Sequence, residues 1–161
     1  MKIRFAEEKD KLHAVRSLQR NQTFYNTTKQ LKEDLGCGRL VVAEENGKLL
    51  GSCAIVSEKN WGYTAIKRLM IYSQKSRGKG IASALIQFVV GLGYDVVGAT
   101  PWEDNVKARR LFEKNGFKFK YQFGNYCYYE RREAAEMRFI FLLDVKRLDS
   151  LTASAVSQYK Q

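Results

Sequence analysis

The sequence contains few of the residues that proteins use to hold metals or to form disulfides. It has one histidine and three cysteines among 161 residues. Cys37, Cys53 and Cys127 are odd in number and far apart, so their spacing matches neither a zinc site nor a disulfide framework. We therefore expect no metal site and a reducing, cytoplasmic location. His13 stands alone, and a lone histidine on a helix is usually a surface side chain with little catalytic weight.

The sequence also lacks long apolar runs. No stretch of about 18 apolar residues occurs, so no membrane-spanning helix is expected. The first residues, Met1 to Glu8, are charged and lack the apolar centre of a signal peptide. Apolar residues make up 45% of the chain and aromatic residues 12%, which is typical of a packed globular protein. A length of 161 residues corresponds to one domain.

Acidic residues are scarce in one part of the chain. The net charge is +11, and residues 61–129 alone hold 11 basic and 4 acidic side chains. This excess of positive charge favours a polyanionic ligand, and nucleic acid is one possible partner. A basic surface with no dedicated groove for nucleic acid is the simpler interpretation.

The hydrophobic pattern predicts an α/β domain with helices on both faces of a mixed sheet. Residues 63–71 alternate as a long strand, and Asn46-Gly47 predicts a tight hairpin turn, because both central residues need positive φ. The predicted strands are 3–5, 40–43, 49–56, 63–71, 94–100, 117–121 and 137–143. The predicted helices are 8–20, 27–35, 81–90 and one that follows Asp104 or Asn105.

A short glycine motif separates the strand at 63–71 from the helix at 81–90. It reads Arg77-Gly78-Lys79-Gly80-Ile81-Ala82. Glycines allow the backbone to approach a ligand closely, and the first N–H groups of a helix attract anions. The motif therefore predicts a phosphate or pyrophosphate site. A basic turn that only starts a helix is the alternative, since short glycine motifs also occur by chance.

A second motif, NVKARRLFEKNGF at residues 105–117, follows the predicted strand at 94–100. Together with Arg-x-x-Gly-x-Ala at 77–82, in this order and separation, it resembles the GCN5-related N-acetyltransferases, the GNAT family. The resemblance in element order covers residues 1–144. It implies a mixed, mostly antiparallel sheet of six or seven strands, with a splay between the fourth and fifth. The order of the C-terminal tail, 145–161, stays open.

The resemblance implies direct transfer of an acetyl group from acetyl-coenzyme A to a primary amine of a peptide, protein or small metabolite. It assigns the pyrophosphate to the motif at 77–82 and the pantetheine arm to main-chain groups of the preceding strand and to the helix after it. The implied cofactor-binding residues are Met70, Ile71, Tyr72, Arg77, Gly78, Lys79, Gly80, Ile81, Ala82, Asn105 and Phe112.

The catalytic pair departs from the family pattern. Bacterial ribosomal-protein alanine acetyltransferases have a tyrosine acid where this chain has Phe112, and a glutamate base where it has Thr100. Tyr126 and Tyr128 are candidate acids in their place, and Glu103 is a candidate base. Simple packing of the tyrosines on the sheet is an alternative. Proximity alone can also supply much of the rate.

The acceptor is not specified by these motifs. Phe24, Tyr25 and Trp102 are candidate acceptor contacts, and packing against the sheet is the alternative for each. Besides amine acetylation, two functions stay open: acyl transfer to nucleic acid or to an amine bound to it, and a non-catalytic domain that binds the cofactor. The chain is expected to be a monomer or a homodimer.

Overall fold

The strands and helices of the computed structural model lie within residues 1–11, 14–15 and 27–132, which are the residues that the structure describes. The strands are β1 (Lys2–Phe5), β2 (Leu40–Glu45), β3 (Lys48–Glu58), β4 (Tyr63–Ile71), β5 (Val96–Ala99), β6 (Lys118–Phe123) and β7 (Tyr126–Arg132). The helices are α1 (Thr27–Gly36), α2 (Ile81–Val90) and α3 (Val106–Lys114). Short 3-10 turns lie at Glu8–Asp10, Lys59–Trp61 and Gln74–Ser76.

The seven strands form one mixed sheet in the order β1-β2-β3-β4-β5-β7-β6. Strands β1 to β4 are antiparallel neighbours, β4 and β5 are parallel, and β6 and β7 are antiparallel. The predicted hairpin turn is confirmed. Asn46 and Gly47 have φ of 51° and 73°, and they connect the paired residues Glu45 and Lys48.

The helices cover both faces of the sheet. On one face α2 and α3 pack on a core that includes Val41, Leu85 and Tyr129. On the other face α1 packs on a smaller core that includes Val42 and Leu31. Because neighbouring residues of a strand point to opposite faces, Val41 and Val42 belong to different cores. The α/β layering predicted from the hydrophobic pattern is confirmed.

Strand β4 contains a β-bulge at Arg68, which the alternation in the sequence did not reveal. Ser52 pairs with Met70, but Ala54 pairs with Lys67, so β4 holds one residue more than β3 between these pairs. Arg68 has a φ of 51°, in the left-handed region that non-glycine residues rarely adopt. The bulge reverses the alternation, and Ile66 and Leu69 therefore pack against the same core.

Strands β4 and β5 pair over only three residues and then separate. Thr64, Ala65 and Ile66 pair with Val97, Gly98 and Ala99. β5 ends at Ala99, whereas β4 continues to Ile71. This separation confirms the expected splay between the fourth and fifth strands.

A buried asparagine fixes α2 against α3 next to this splay. The Asn115 side chain accepts a hydrogen bond from Gln87 Nε2 at 3.0 Å, and it donates to Ser83 Oγ at 3.1 Å and to the Leu111 carbonyl at 2.8 Å. Arg131 Nη1 donates to the Asn115 carbonyl at 2.8 Å. The two helices that begin near the cleft are therefore held in a fixed relation.

The C-terminal end of the sheet differs from the prediction. Residues 125–129 were expected to link the last two strands, but Tyr126–Arg132 is itself a strand, paired with β6. The β-branched residues that signal a strand are absent from it, and its cross-strand aromatic pairs take their place. The predicted strand at 137–143, the domain end at 144 and the tail lie outside the described residues. Residues 1–131 form a compact unit.

Other predicted boundaries moved by a few residues. The predicted strand 94–100 is the four-residue β5, and the strand at 117–121 becomes Lys118–Phe123. The helix predicted at 8–20 begins as a 3-10 turn, with Lys11, Ala14 and Val15 helical, and its other residues lie outside the described part. Within the described residues, no helix is long and apolar enough to cross a membrane.

Candidate active site

A cleft of about 550 Å³ opens where β4 and β5 separate. Residues Ile66 to Ile71 of β4 form one wall, and Thr100, Pro101 and Trp102 after β5 form the opposite wall. Helix α2 contributes Ala82. Helix α3 and its cap contribute Asn105, Ala108, Leu111 and Phe112, and α1 contributes Gln30. We call this space the splay cleft.

The main chain of β4 presents hydrogen-bonding groups to the splay cleft. Tyr72 N–H donates to the Leu50 carbonyl at 2.9 Å, so this N–H is already used within the sheet. Since main-chain groups alternate in direction along an antiparallel pair, those of Ile71 point away from β3. They lie on the edge that β5 has left, where an extended ligand with amide groups can pair with them as an added strand does.

The glycine motif lies at the end of the splay cleft, directly before α2. Gly78 and Gly80 both have a φ of 77°, and a side chain at either position would meet no atom within 4 Å. No side chain caps the first turn of α2, and that turn holds no acidic residue. Arg77 and Lys79 are exposed and have no ion-pair partner among the described residues. Free N–H groups, a helix dipole and two cations therefore meet at an open backbone surface.

Asn105 and Phe112 position α3 along the cleft. The Asn105 side chain accepts a hydrogen bond from the Ala108 N–H at 3.1 Å and so caps the helix. Phe112 is buried and packs edge-on against Phe117, with ring centroids 5.2 Å apart. The predicted cap is confirmed, and both residues line the splay cleft.

A partly buried ion pair holds the bulge of β4. Arg68 Nε donates to Asp34 Oδ2 at 2.7 Å, and Arg68 Nη2 contacts the same carboxylate. The Asp34 side chain on α1 is 2% exposed. Arg39 Nη2 lies 3.5 Å from its other oxygen. The pair therefore fixes a strained backbone residue in the wall of the splay cleft.

A second cleft, of about 450 Å³, adjoins the first. The two clefts share Lys67 and Thr100. The other lining residues of the second cleft are all aromatic, and we call it the aromatic cleft. They are Trp61, Tyr63, Tyr121, Phe123 and Tyr126.

Ring packing shapes the aromatic cleft. Phe123 and Tyr126 stack with centroids 5.7 Å apart and an interplanar angle of 23°. Tyr63 can lie against β5 because Gly98 has no side chain. A Cβ at Gly98 would lie 2.5 Å from the Tyr63 ring. Lys67 Nζ lies 2.9 Å from Glu58 Oε1, and both side chains are about 30% exposed. The cation in the wall is therefore already paired.

The structure separates the three candidate catalytic residues. Tyr126 lines the aromatic cleft, and its ring meets Trp102 edge-on with centroids 5.3 Å apart. Tyr128 is buried, donates to Glu130 at 3.2 Å and lines neither cleft. Burial and the neighbouring Glu130 carboxylate raise the pKa of Tyr128. Glu103 accepts a hydrogen bond from Gln122 Nε2 at 2.8 Å and also lines neither cleft.

The predicted binding residues fall into three groups. Met70, Ile71, Ala82, Trp102, Asn105 and Phe112 line the splay cleft. Tyr72, Arg77, Gly78, Lys79, Gly80 and Ile81 do not line it and continue the chain from β4 into α2. Phe24 and Tyr25 lie outside the described residues.

Sequence reasoning missed most of the aromatic cleft. Trp61 stands in a polar connection between two strands, and no local pattern indicated a role for it. The alternation of Phe117, Phe119 and Tyr121 was visible, but it indicated only a strand. The described residues contain no cluster of three or more histidine, cysteine or acidic side chains that can hold a metal.

The family of the chain follows from its sequence and its fold together. The family model described as "Acetyltransferase (GNAT) domain" matches residues 36–119, more than half of the chain. The chain belongs to the GNAT acetyltransferase family, and acyl transfer is the general reaction of this class. No curated protein sequence matches it.

Solved structures of low sequence identity share the fold. A GNAT-family acetyltransferase from Bacillus cereus superimposes with a TM-score of 0.74 at 16% identity, covering 83% of this chain and 97% of that one. Ard1 from Thermoplasma volcanium gives 0.70 at 20% identity, with coverage of 83% and 97%. A ribosomal-protein-alanine N-acetyltransferase from Brucella melitensis gives 0.63 at 17% identity, covering 83% of this chain and all of that one.

Proposed function

We propose that this protein is an N-acetyltransferase that moves an acetyl group directly from acetyl-coenzyme A to a primary amine of a peptide, protein or small metabolite. One observation carries the proposal. The splay cleft, open between β4 and β5, leads to an uncapped helix start with two open glycines and two cations.

The residues present fit the pyrophosphate and the pantetheine arm of coenzyme A. Arg77 to Ala82 hold the pyrophosphate, because backbone N–H groups and two cations converge where no side chain intervenes. The main chain of Met70, Ile71 and Tyr72 would hold the pantetheine arm, and the outward-pointing groups of Ile71 would pair with its amides. Asn105 and Phe112 flank the arm from α3. The bound thioester supplies an activated acyl group for attack by an amine.

A matched pair of variants at Gly80 tests the cofactor site. Its φ of 77° is tolerated by asparagine and aspartate better than by other side chains, so both variants carry similar strain and volume. Only Gly80→Asp adds a negative charge. Two unit charges about 4 Å apart repel by about 1 kcal/mol in water and by about 4 kcal/mol near a protein surface.

Calorimetric titration with acetyl-coenzyme A should therefore show at least about fivefold weaker binding by Gly80→Asp than by Gly80→Asn. Thermal unfolding should show that both variants are folded and that Gly80→Asp is at least as stable as Gly80→Asn, because a carboxylate is favoured at a helix start. Equal affinities of the two variants would show that the pyrophosphate does not bind at this turn.

Transfer itself is tested with radiolabelled acetyl-coenzyme A in a cell extract. The product is separated into protein, nucleic-acid and small-molecule fractions. Label above that of the Gly80→Asp variant in one fraction is the expected result, and it also names the acceptor class. Cofactor binding without label in any fraction would favour a binding domain that has lost its chemistry.

Acyl transfer to nucleic acid is the second candidate function. The observation that favours it is the set of exposed basic side chains on α3 and β6, including Lys107, Arg110 and Lys118. Binding that depends on phosphate contacts weakens steeply with salt. Activity that falls steeply between low and moderate salt and is removed by nuclease would establish it, and activity indifferent to both would exclude it.

A further inference from the structure

The aromatic side chains that line the aromatic cleft favour a ligand of a particular shape. Five of its seven lining residues are aromatic, and the other two are Lys67 and Thr100. Trp61 is 71% exposed and Phe123 is 48% exposed, so a ligand can reach the faces of both rings. Flat aromatic faces bind planar rings by stacking. A planar aromatic ring therefore matches this space better than a branched or flexible chain does.

The charges around the aromatic cleft argue against a cationic ligand. Aromatic cages also bind ammonium groups, but this wall contains the cation Lys67. The nearby carboxylates are engaged. Glu58 pairs with Lys67 at 2.9 Å, and Glu103 accepts a hydrogen bond from Gln122 at 2.8 Å. Because Lys67 is paired with Glu58 and no described residue that lines the cleft is a carboxylate, a ligand cation finds no counter-ion in the wall, and a neutral ring is the better match.

The chemistry at the junction of the two clefts points to the same kind of acceptor. Among the described residues that line either cleft there is no carboxylate and no histidine. An alkyl amine has a pKa near 10.4, so it reaches the cleft as an ammonium ion and needs a base before it can attack. An amino group conjugated with an aromatic ring is neutral at pH 7, because its lone pair is delocalised, and it needs no base for this purpose.

We propose that the acceptor is a weakly basic amino group attached to a planar aromatic ring, which stacks between Trp61, Tyr121 and Phe123. This inference rests on the proposed acetyltransferase function and names its substrate class. The amino group then lies toward Lys67 and Thr100, the two residues that line both clefts. The ring is that of a small aromatic amine or of a nucleobase with an exocyclic amino group.

The transfer step balances with no further reactant. The amine nitrogen attacks the thioester carbon, a C–N bond forms and the C–S bond breaks. Coenzyme A leaves as a thiolate and takes up the proton that the nitrogen releases, directly or through water. The products are the N-acetylated ring amine and free coenzyme A.

Two acceptors that differ only in their ring test the proposal. p-Aminobenzoate carries a conjugated amine on an aromatic ring, and its ring-saturated analogue, an aminocyclohexane carboxylate, carries an alkyl amine with the same functional groups. Release of free coenzyme A thiol measures transfer to each. We expect a kcat/KM at least about tenfold higher for the aromatic amine, in line with the contribution of ring stacking.

A matched pair of variants on β6 shows whether the aromatic cleft binds the ring. Phe123 lines the cleft, whereas Phe119, on the same strand and 51% exposed, does not. Phe123→Leu keeps an apolar side chain but loses the flat face. It should raise KM for the aromatic amine about tenfold and leave the affinity for acetyl-coenzyme A unchanged. Phe119→Leu should change neither value.

Cytidine and a cytosine-containing single strand, used as acceptors, distinguish the two sources of the ring. Acetylation of either, with the same response to Phe123→Leu, assigns a nucleobase amine, and acetylation of p-aminobenzoate alone assigns a small aromatic amine. Equal or faster transfer to the saturated amine, or equal effects of the two leucine variants, would overturn the inference while leaving the acetyltransferase function intact.

Quenching of tryptophan fluorescence by p-aminobenzoate distinguishes failure of the aromatic binding site from failure of the proposed acetyltransferase function. Saturable quenching that Phe123→Leu weakens supports the ring site even where acetyl-coenzyme A does not bind. In that case the proposed function fails and the aromatic site does not. An absence of saturable quenching would overturn the ring site.

Discussion

The ion pair between Arg68 and Asp34 should contribute both to the stability of the protein and to its affinity for acetyl-coenzyme A. Apolar replacement of both residues should restore only the stability. Arg68→Met keeps the long side chain but removes the guanidinium, which leaves the carboxylate of Asp34, 2% exposed, without its closest partner. Loss of one member of a buried pair costs about 3–5 kcal/mol. Because Arg39 lies 3.5 Å from the other oxygen, the lower end, about 3 kcal/mol, is expected.

Urea denaturation measures this loss. For an m-value of about 2 kcal/mol per M, 3 kcal/mol lowers the midpoint by about 1.5 M. The double variant Asp34→Leu/Arg68→Met should recover most of the stability, since apolar replacement of a buried pair is often neutral. It should not recover the affinity for acetyl-coenzyme A, because nothing then holds residue 68 at a φ of 51° in the cleft wall.

Two results would refute this reasoning. A loss of less than about 1 kcal/mol in Arg68→Met would show that the pair is no stronger than a surface ion pair. Recovery of cofactor affinity together with stability in the double variant would show that the bulge persists without the pair.

The remaining predictions concern two residues near the clefts. Gly98→Ala places a Cβ 2.5 Å from the Tyr63 ring, so it should lower the free energy of unfolding by about 1–3 kcal/mol and weaken the fluorescence quenching by p-aminobenzoate. Gly36→Ala is the control, because a Cβ there meets no atom within 4 Å. Equal effects of the two variants would contradict the prediction. Burial raises the pKa of Tyr72 from 10.0 to about 12, so its contribution to stability is complete below pH 10 and is lost between pH 10 and about pH 12. Unfolding curves should show the stability difference between wild type and Tyr72→Phe shrinking over that interval, and a constant difference would contradict it.

The turn and helix start of the proposed cofactor site could be predicted from local sequence signals. The glycine motif at 77–82 and the cap at Asn105 each act within a few residues of the chain. The types of the neighbouring residues therefore determine the geometry of the turn and of the helix start. The predicted helix 81–90 and the turn at Asn46 are confirmed for the same reason. Local rules of turn and cap chemistry decide these elements.

The bulge and the aromatic cleft could not be predicted in this way, because they depend on contacts between distant residues. Arg68 and Asp34 are 34 positions apart, and the alternation at 63–71 looked like an uninterrupted strand. The rings of the aromatic cleft come from the turn before β4 and from β4, β6 and β7. Only the sheet order, with β7 between β5 and β6, brings them together.

Thr100 is a departure from the family pattern that agrees with the proposed acceptor. Thr100 lines both clefts, so a carboxylate in its place would add a negative charge beside the aromatic rings. An alkyl ammonium acceptor would benefit from that charge and from the base it supplies, whereas a neutral aromatic amine benefits from neither. A chain with threonine at this position is therefore suited to the proposed acceptor, whose nitrogen is already neutral. The variant Thr100→Glu tests this argument by restoring the carboxylate. It should raise transfer to the saturated amine relative to p-aminobenzoate. An unchanged ratio of the two kcat/KM values would show that the missing carboxylate does not determine which acceptor is used.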